Sequence, residues 1–425
     1  MDRRRFLALA ALLPSSGRVL GAVPAGFVDV RRHGARGDGA SDDTPAFQRA
    51  LDGAAGVWVP EGRYLVGDLA LWSHTRLAGA GPRSVLVHRP GSSFLAAAGG
   101  GFAGSADPRD NVRDIAIEDL AFEGRCVSDG FVQTHHLLVA TGCSRLAVRR
   151  CAFRAFQGDG IYVAGSAYAT GAERHNEDVT IRGCLFDGVN DQNRQGVSIT
   201  DGNRVTVEGN LFRNCSRPDM PGALDIEPEA PWARIHDVRI LRNRFVNVLG
   251  GVGAICVILA LDRYERHPRG IEIRGNRVEG RFRTLGVVAK GFVDGAHAPP
   301  VDLVIAGNEI LDTFHGFEIS GLRGVRFEDN VIRGTTVAAR LSVPHRGRAA
   351  EVAVVRNRFE KVGMHSGVAL KIHPTVDLTV TGNRFVDCGW IDRRGGVAID
   401  ASEEPPAMMR AERNTVSEPR RPKGA

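Results

Sequence analysis

VTVEGNLF (205–212), VRILRNRF (238–245) and IEIRGNRV (271–278) are one phrase written three times. Each alternates side chains for four positions, turns at a Gly-Asn or Arg-Asn pair, and ends on an apolar residue. Alternation with a period of two marks a half-buried strand, because successive side chains point to opposite faces. The phrase returns as LVIAGNEI (303–310), VRFEDNVI (325–332), VAVVRNRF (352–359), LTVTGNRF (378–385) and MRAERNTV (409–416). Upstream, LAVRRCAF (146–153) and VTIRGCLF (179–186) carry Cys151 and Cys184 in the asparagine's place. The asparagines stand at 210, 243, 276, 308, 330, 357, 383 and 414, in steps of 33, 33, 32, 22, 27, 26 and 31.

Self-similarity at such a period is the signature of a solenoid. A second alternating run lies between phrases (GVSIT, ALDIE, FEIS, VALKI, VAID), and no amphipathic helical pattern separates them. The repeat unit is therefore strand and turn only. It predicts an all-β right-handed parallel β-helix of roughly ten coils, with the asparagine amides stacked as a hydrogen-bonded ladder inside one turn. A leucine-rich repeat also places asparagine after a strand. Here isoleucine, valine and phenylalanine fill the core positions more than leucine, and repeat length varies from 22 to 33.

The composition agrees. Of 425 residues, 43% are hydrophobic and 24% charged, which excludes disordered and membrane-spanning classes; 52 glycines suit a chain of many tight turns. Residues 1–25 read as an export signal of the twin-arginine type, with Arg3-Arg4-Arg5-Phe6-Leu7, a short apolar run and a cut near Ala22 or Ala25. They hold four arginines and one aspartate, so about half of the formal net charge of +6 leaves with them. The remainder gives no footprint for nucleic acid. A periplasmic or secreted protein with no membrane span after processing is expected. Seven cysteines without a CxxC pair argue against a zinc site or a disulfide framework and read as small buried apolar residues.

A solenoid must cover its first coil. Thr44 reads as the N-cap of a short helix, Pro45 as its first residue, and Ala46, Phe47, Ala50 and Leu51 as its buried face. The expected organisation is cap and first coils over 26–110, repeats over 111–404, and a proline-rich, charged tail over 405–425.

DVRRHGARGDGASDDTPAFQRAL (29–51) followed by VWVPEGRYLV (57–66) resembles the N-terminal signature of the pectate-lyase-like superfamily of right-handed β-helices. The resemblance implies the fold across nearly the whole chain after the signal. It does not imply one reaction, since the superfamily includes polysaccharide lyases, glycoside hydrolases such as polygalacturonases, uronate epimerases and phage tailspikes. The polygalacturonase motifs NTD, GHG and RIK are absent, and the adjacent aspartates at 42–43 lie in the cap. That family's catalytic residues are not carried over.

Stacking the second strands finds a site. One outward column reads Tyr162, Ser198, Asp225, Cys256, Val288, Glu318, Ala369, Ala398. The next reads Ala164, Thr200, Glu227, Ile258, Lys290, Ser320, Lys371, Asp400. The turn before them carries Asp159, Arg194-Gln195, His315 and His365. Outward strand positions are ordinarily polar, so Asp225 and Glu227 gain meaning from the arginine, glutamine and aspartate converging on them from adjacent coils. Asp225, Glu227 and Asp159 are the catalytic candidates. Arg194, Gln195, Asn193, Asp191, Tyr162, Lys290, His315 and Glu318 are candidate substrate contacts. The insertions 165–178, 213–222, 228–236 and 262–269 are candidate walls of a groove.

Paired carboxylates suit glycosidic cleavage, one donating a proton and the other activating water or attacking the anomeric carbon. β-Elimination on a uronate, or epimerisation, needs a cation such as Arg194 on the substrate carboxylate and a base such as Lys290 or His315. A non-catalytic sugar-binding or cell-surface β-helix fits the same fold. No cofactor is required, although Asp159, Asp225 and Glu227 could hold calcium. The expected partner is a polysaccharide or oligosaccharide, bound by a monomer or homotrimer.

Overall fold

A computed structural model describes residues 23–99, 112–165, 173–281, 283–342, 347–389, 397–402 and 409–417. The predicted export signal lies outside the described residues, apart from its last three.

Three strands make each coil, and equivalent strands of successive coils pair in parallel into sheets of 14, 14 and 12 strands. The coils counted from the repeats are all present. The N-terminal third adds coils whose turns lack the asparagine, with strands such as Phe94–Ala98 and His136–Thr141. Residues on one side of each strand fill a continuous interior with valine, isoleucine, leucine and phenylalanine at or near zero exposure. Phe122, Phe153, Phe186, Phe212 and Phe245 stack there one per coil, centroids 4.7–5.1 Å apart. Parallel in-register coils bring identical side chains to van der Waals contact, so a favourable stack in one coil is repeated in the next.

The asparagine ladder forms as the repeats predict. The Oδ1 of each buried asparagine accepts from the backbone N–H and the Nδ2 of the one before, as for Asn243 on Asn276 (2.9 and 3.1 Å) and Asn276 on Asn308 (2.8 and 3.0 Å). Each Nδ2 also donates to a carbonyl of the preceding coil, Asn276 to Ile240 at 2.8 Å. The ladder runs through to Asn414. Cys184 ends it upstream: its N–H still donates to Asn210 Oδ1, but its own Sγ lies 3.7 Å from the Val148 carbonyl.

Every ladder asparagine follows a residue in the left-handed region, with φ 63° at Gly209 and 52° at Arg242. Glycine takes that conformation freely, whereas arginine does so at about 1–2 kcal/mol. This explains why Gly-Asn recurs and shows that the ladder holds Arg-Asn in the same turn.

At the N-terminus the helix Thr44–Gly53 buries Ala46, Phe47, Ala50 and Leu51 as expected. Its cap is Asp43, one residue earlier than the sequence suggests. Thr44 Oγ1 accepts instead from the Gly67 N–H (3.2 Å), and the Asp43 carboxylate accepts from the N–H groups of Arg36 and Gly37 (2.7 and 3.1 Å). All seven cysteines are buried and unpaired with one another. No described helix is long and apolar enough to cross a membrane.

Candidate functional site

The third sheet carries the outward columns. Tyr162 pairs with Ser198, Ser198 with Asp225, Asp225 with Cys256, Cys256 with Val288 and Val288 with Glu318. Ile258 pairs with Lys290 and Lys290 with Ser320 in the next column. Beyond Glu318 the expected register needs correction. The strand Ala339–Leu341 intervenes, Glu318 pairs with Arg340, Arg340 with Lys371 and Lys371 with Asp400. Lys371 and Asp400 thus continue the column of Glu318, not that of Ser320. The slip is two residues, which preserves the inward and outward alternation, so hydrophobic patterning gives no sign of it.

Asp159, Arg194, Gln195, Asp225 and Glu227 do converge. Arg194 Nη1 donates to both oxygens of Asp159 (3.1 and 2.8 Å), and the Gln195 N–H donates to Oδ1 (3.2 Å). Gln195 Nε2 in turn donates to Asp225 Oδ2 at 2.8 Å. The other oxygen, Asp225 Oδ1, is buried without a well-formed hydrogen bond, beside Ser198 and Glu227. Asp225 has no exposed surface, whereas Glu227 is half-buried and opens outward.

Burial, then the negative charges of Glu227 and Asp159, push the Asp225 carboxyl up to about 8. Glu227 is also raised, first by burial and then by Glu229, with Arg194 and Lys290 opposing. The site therefore holds protons that ordinary carboxylates release near pH 4. Because the unfolded chain ionises Asp225 near pH 4 and the folded chain does not until far higher, the stability this group leaves intact at pH 4 is lost progressively as pH rises towards 8. Asp225→Asn, which keeps the acceptor for Gln195, is expected to match the wild type in melting temperature at pH 4 and to exceed it increasingly up to pH 8. A difference that is flat across that range would show that Asp225 is ionised in the folded protein.

An open groove of about 820 Å³ starts here, lined by Arg194, Glu227, Glu229, Ile258, Tyr264 and Phe292 among others. Glu229, past the strand Leu224–Ile226, reaches back so that the Tyr162 hydroxyl donates to its Oε2 at 3.1 Å. Burial and the Glu229 charge raise the Tyr162 hydroxyl well above the ordinary phenol range, keeping it a donor. His136 stacks on Tyr162, centroids 4.5 Å apart, and its Nδ1 accepts from the Asp159 N–H at 3.0 Å.

Other candidates lie apart from the groove. The Asn193 amide donates to the carbonyls of Asn190 and Asn214 and accepts from the Ser216 N–H, so it fastens one loop to the next. Asp191 is exposed and bonded to its neighbour Gln192. Lys290 stands two rungs from Glu227 with Nζ 5.6 Å from the Phe292 ring. Glu318 is three rungs from Asp225, and His315 lies opposite Leu285 at the start of the same strand.

The sequence reading did not carry Glu229, His136, Tyr264 or Phe292 into the site. Glu229 stands two residues beyond Glu227, as Glu227 does beyond Asp225, but it lies past the end of the strand at Ile226. Tyr264 sits in an insertion already marked as a wall. His136 lies on a coil upstream of the aligned repeats, and nothing in the sequence singles out Phe292.

The donor set does not present a calcium site. The Asp159 oxygens face Arg194 and Gln195, Asp225 is enclosed, and no group of three or more suitable side chains gathers among the described residues.

Two family models match the chain: the pectate-lyase-like model of rhamnogalacturonase A and epimerases over residues 27–216, and the right-handed β-helix region over residues 135–341. Between them the two matches run from residue 27 to residue 341 and liken that stretch to pectate-lyase-like right-handed parallel β-helix proteins. The preneck appendage protein of Bacillus phage PZA is 25% identical over 364 residues, covering 73% of this chain and 39% of the phage protein. A glucan 1,3-beta-glucosidase of Cochliobolus carbonum is 27% identical over 193 residues, 40% of this chain and 24% of that protein. The alignments therefore span well under half the length of these relatives. The A-module of a mannuronan C-5 epimerase from Azotobacter vinelandii superimposes with a TM-score of 0.55 at 18% identity, covering 92% of this chain and all of the module, which is a likeness of fold.

Proposed function

We propose that this protein is an exported carbohydrate-active enzyme that cleaves glycosidic bonds in the groove at Glu227, with residues 1–25 as its export signal. The observation that supports this reading is a carboxyl of raised proton affinity, Glu227, opening onto a groove that also holds Glu229 and Arg194. Glu227 donates its proton to the glycosidic oxygen as the C–O bond breaks. Glu229, oriented by Tyr162, is the second carboxylate within reach of the anomeric carbon or of an attacking water. Asp225 is enclosed behind Glu227 and serves as its proton-holding neighbour, not as a group that touches substrate.

Arg194 supports a second reading, a lyase or epimerase acting on uronates, because it lines the groove as a cation. Its charge is already balanced by Asp159, which favours the first. The phage appendage relative keeps open a third, a sugar-binding protein without turnover.

Incubation with neutral and uronate-containing polysaccharides tests the reading, following reducing ends and the ultraviolet absorbance of unsaturated uronate together. Reducing ends without absorbance support hydrolysis, and both rising together make the protein a lyase. Neither signal on any sugar, with no change of product configuration by NMR, leaves binding alone.

A further inference from the structure

The carboxylates account for one end of the groove only. From the rung of Glu227 the groove runs along the solenoid axis over Ile258 and Ala260 to Phe292, flanked by Pro228, Pro231 and Tyr264. That half is lined mostly by apolar carbon. Phe292 is 54% exposed, and of the exposed large apolar side chains among the described residues it is the one that lines this groove.

Its position is fixed by the sheet. Ile258 pairs with Lys290 and Leu259 with Gly291, so Phe292 follows on beside Ala260 of the neighbouring coil. Alanine has no side chain long enough to cover the phenyl ring. Two rungs separate it from Glu227, about 9.6 Å along the axis. Lys290, a residue only 9% exposed, places its ammonium 5.6 Å from the ring centroid and braces it from one side. A single exposed phenylalanine on a surface needs no explanation. This one stands braced at the edge of a cleft with acid groups at its other end.

We infer that Phe292 is a stacking platform for a pyranose ring of the substrate. The apolar C–H face of the sugar lies against the phenyl ring while its hydroxyls remain solvated or meet the polar rim. The oligosaccharide then lies along the solenoid axis, its reacting bond at Glu227 and a held sugar two rungs towards the C-terminal coils. Phe292 is thus a specificity-determining contact for substrates long enough to span both points. This rests on the reading of the groove as a sugar site but not on Glu227 being catalytic.

The test titrates the full protein with soluble 1,3-glucan oligosaccharides of increasing length and with mannuronate oligosaccharides. Phe292→Trp keeps the platform and adds a fluorescent reporter, so its emission should change on titration relative to wild type. Phe292→Ala should weaken binding of the longer oligosaccharides about tenfold and leave the shortest nearly unaffected. Unaltered emission in Phe292→Trp at concentrations that saturate the wild type overturns the platform, as does an equal effect of Phe292→Ala at every length. An emission response alongside full turnover in Glu227→Gln retains the platform and rejects the proposed mechanism. Failure of the wild type to bind any of these sugars overturns both.

Discussion

Glu227→Gln is expected to lower kcat by about 10²–10⁴-fold, the range attached to a positioned general acid, while leaving sugar affinity close to wild type and melting temperature no lower than wild type. Glutamine preserves the shape of the side chain and removes the transferable proton. The carboxyl is raised by burial and by Glu229, so the wild-type enzyme holds the acid form at a pH where a free glutamate has lost it. Activity should fall on the alkaline side as Glu227 ionises, and that limb should vanish from the residual rate of the variant. Initial rates across pH for the two proteins, with binding measured separately, decide it. Equal kcat in variant and wild type would remove Glu227 from the chemistry and shift attention to Arg194 and the uronate reading.

Asn276→Ala should destabilise the solenoid by about 3–5 kcal/mol, several times the typical cost of a surface substitution. Asn276 Oδ1 accepts from both the N–H and the Nδ2 of Asn243, and its Nδ2 donates to the Ile240 carbonyl. Alanine leaves those three groups unsatisfied at a place where Asn243 and Asn276 are each 1% exposed. Asn414→Ala is the internal comparison. Asn414 ends the ladder in a partly exposed position, where water replaces the lost partner, so its cost should be about 1 kcal/mol or less. Urea unfolding of both variants measures the contrast. Similar costs at the two positions would mean that the ladder contributes by turn geometry and not by its buried hydrogen bonds.

Much of the candidate site's placement was legible in the sequence. Once the repeats align, Asp225 and Glu227 must share a strand face, and Arg194 and Asp159 must stand one and two coils away. What alignment left out lies where the chain departs from the repeat. Glu229 lies beyond a proline and past the end of its strand at Ile226, and Phe292 lies just past the end of its own at Gly291. Asn193 seemed available to a sugar because asparagine in a turn looks the same whether its amide meets solvent or the next loop.

The sequence by itself determined the solenoid, its strand-and-turn coil, the asparagine ladder, and the cluster of charge around Asp225. Period-two alternation and a left-handed turn before asparagine are local features, and parallel stacking copies them from coil to coil at a fixed spacing. Only the tertiary structure decided which carboxyl meets solvent and which is enclosed, and where the register slips by two residues. It also decided that the groove continues to Phe292. Those outcomes depend on how insertions of differing length fold over one face of the sheet. Exposure there is a property of the covering loops, and no alternation within the strand encodes it.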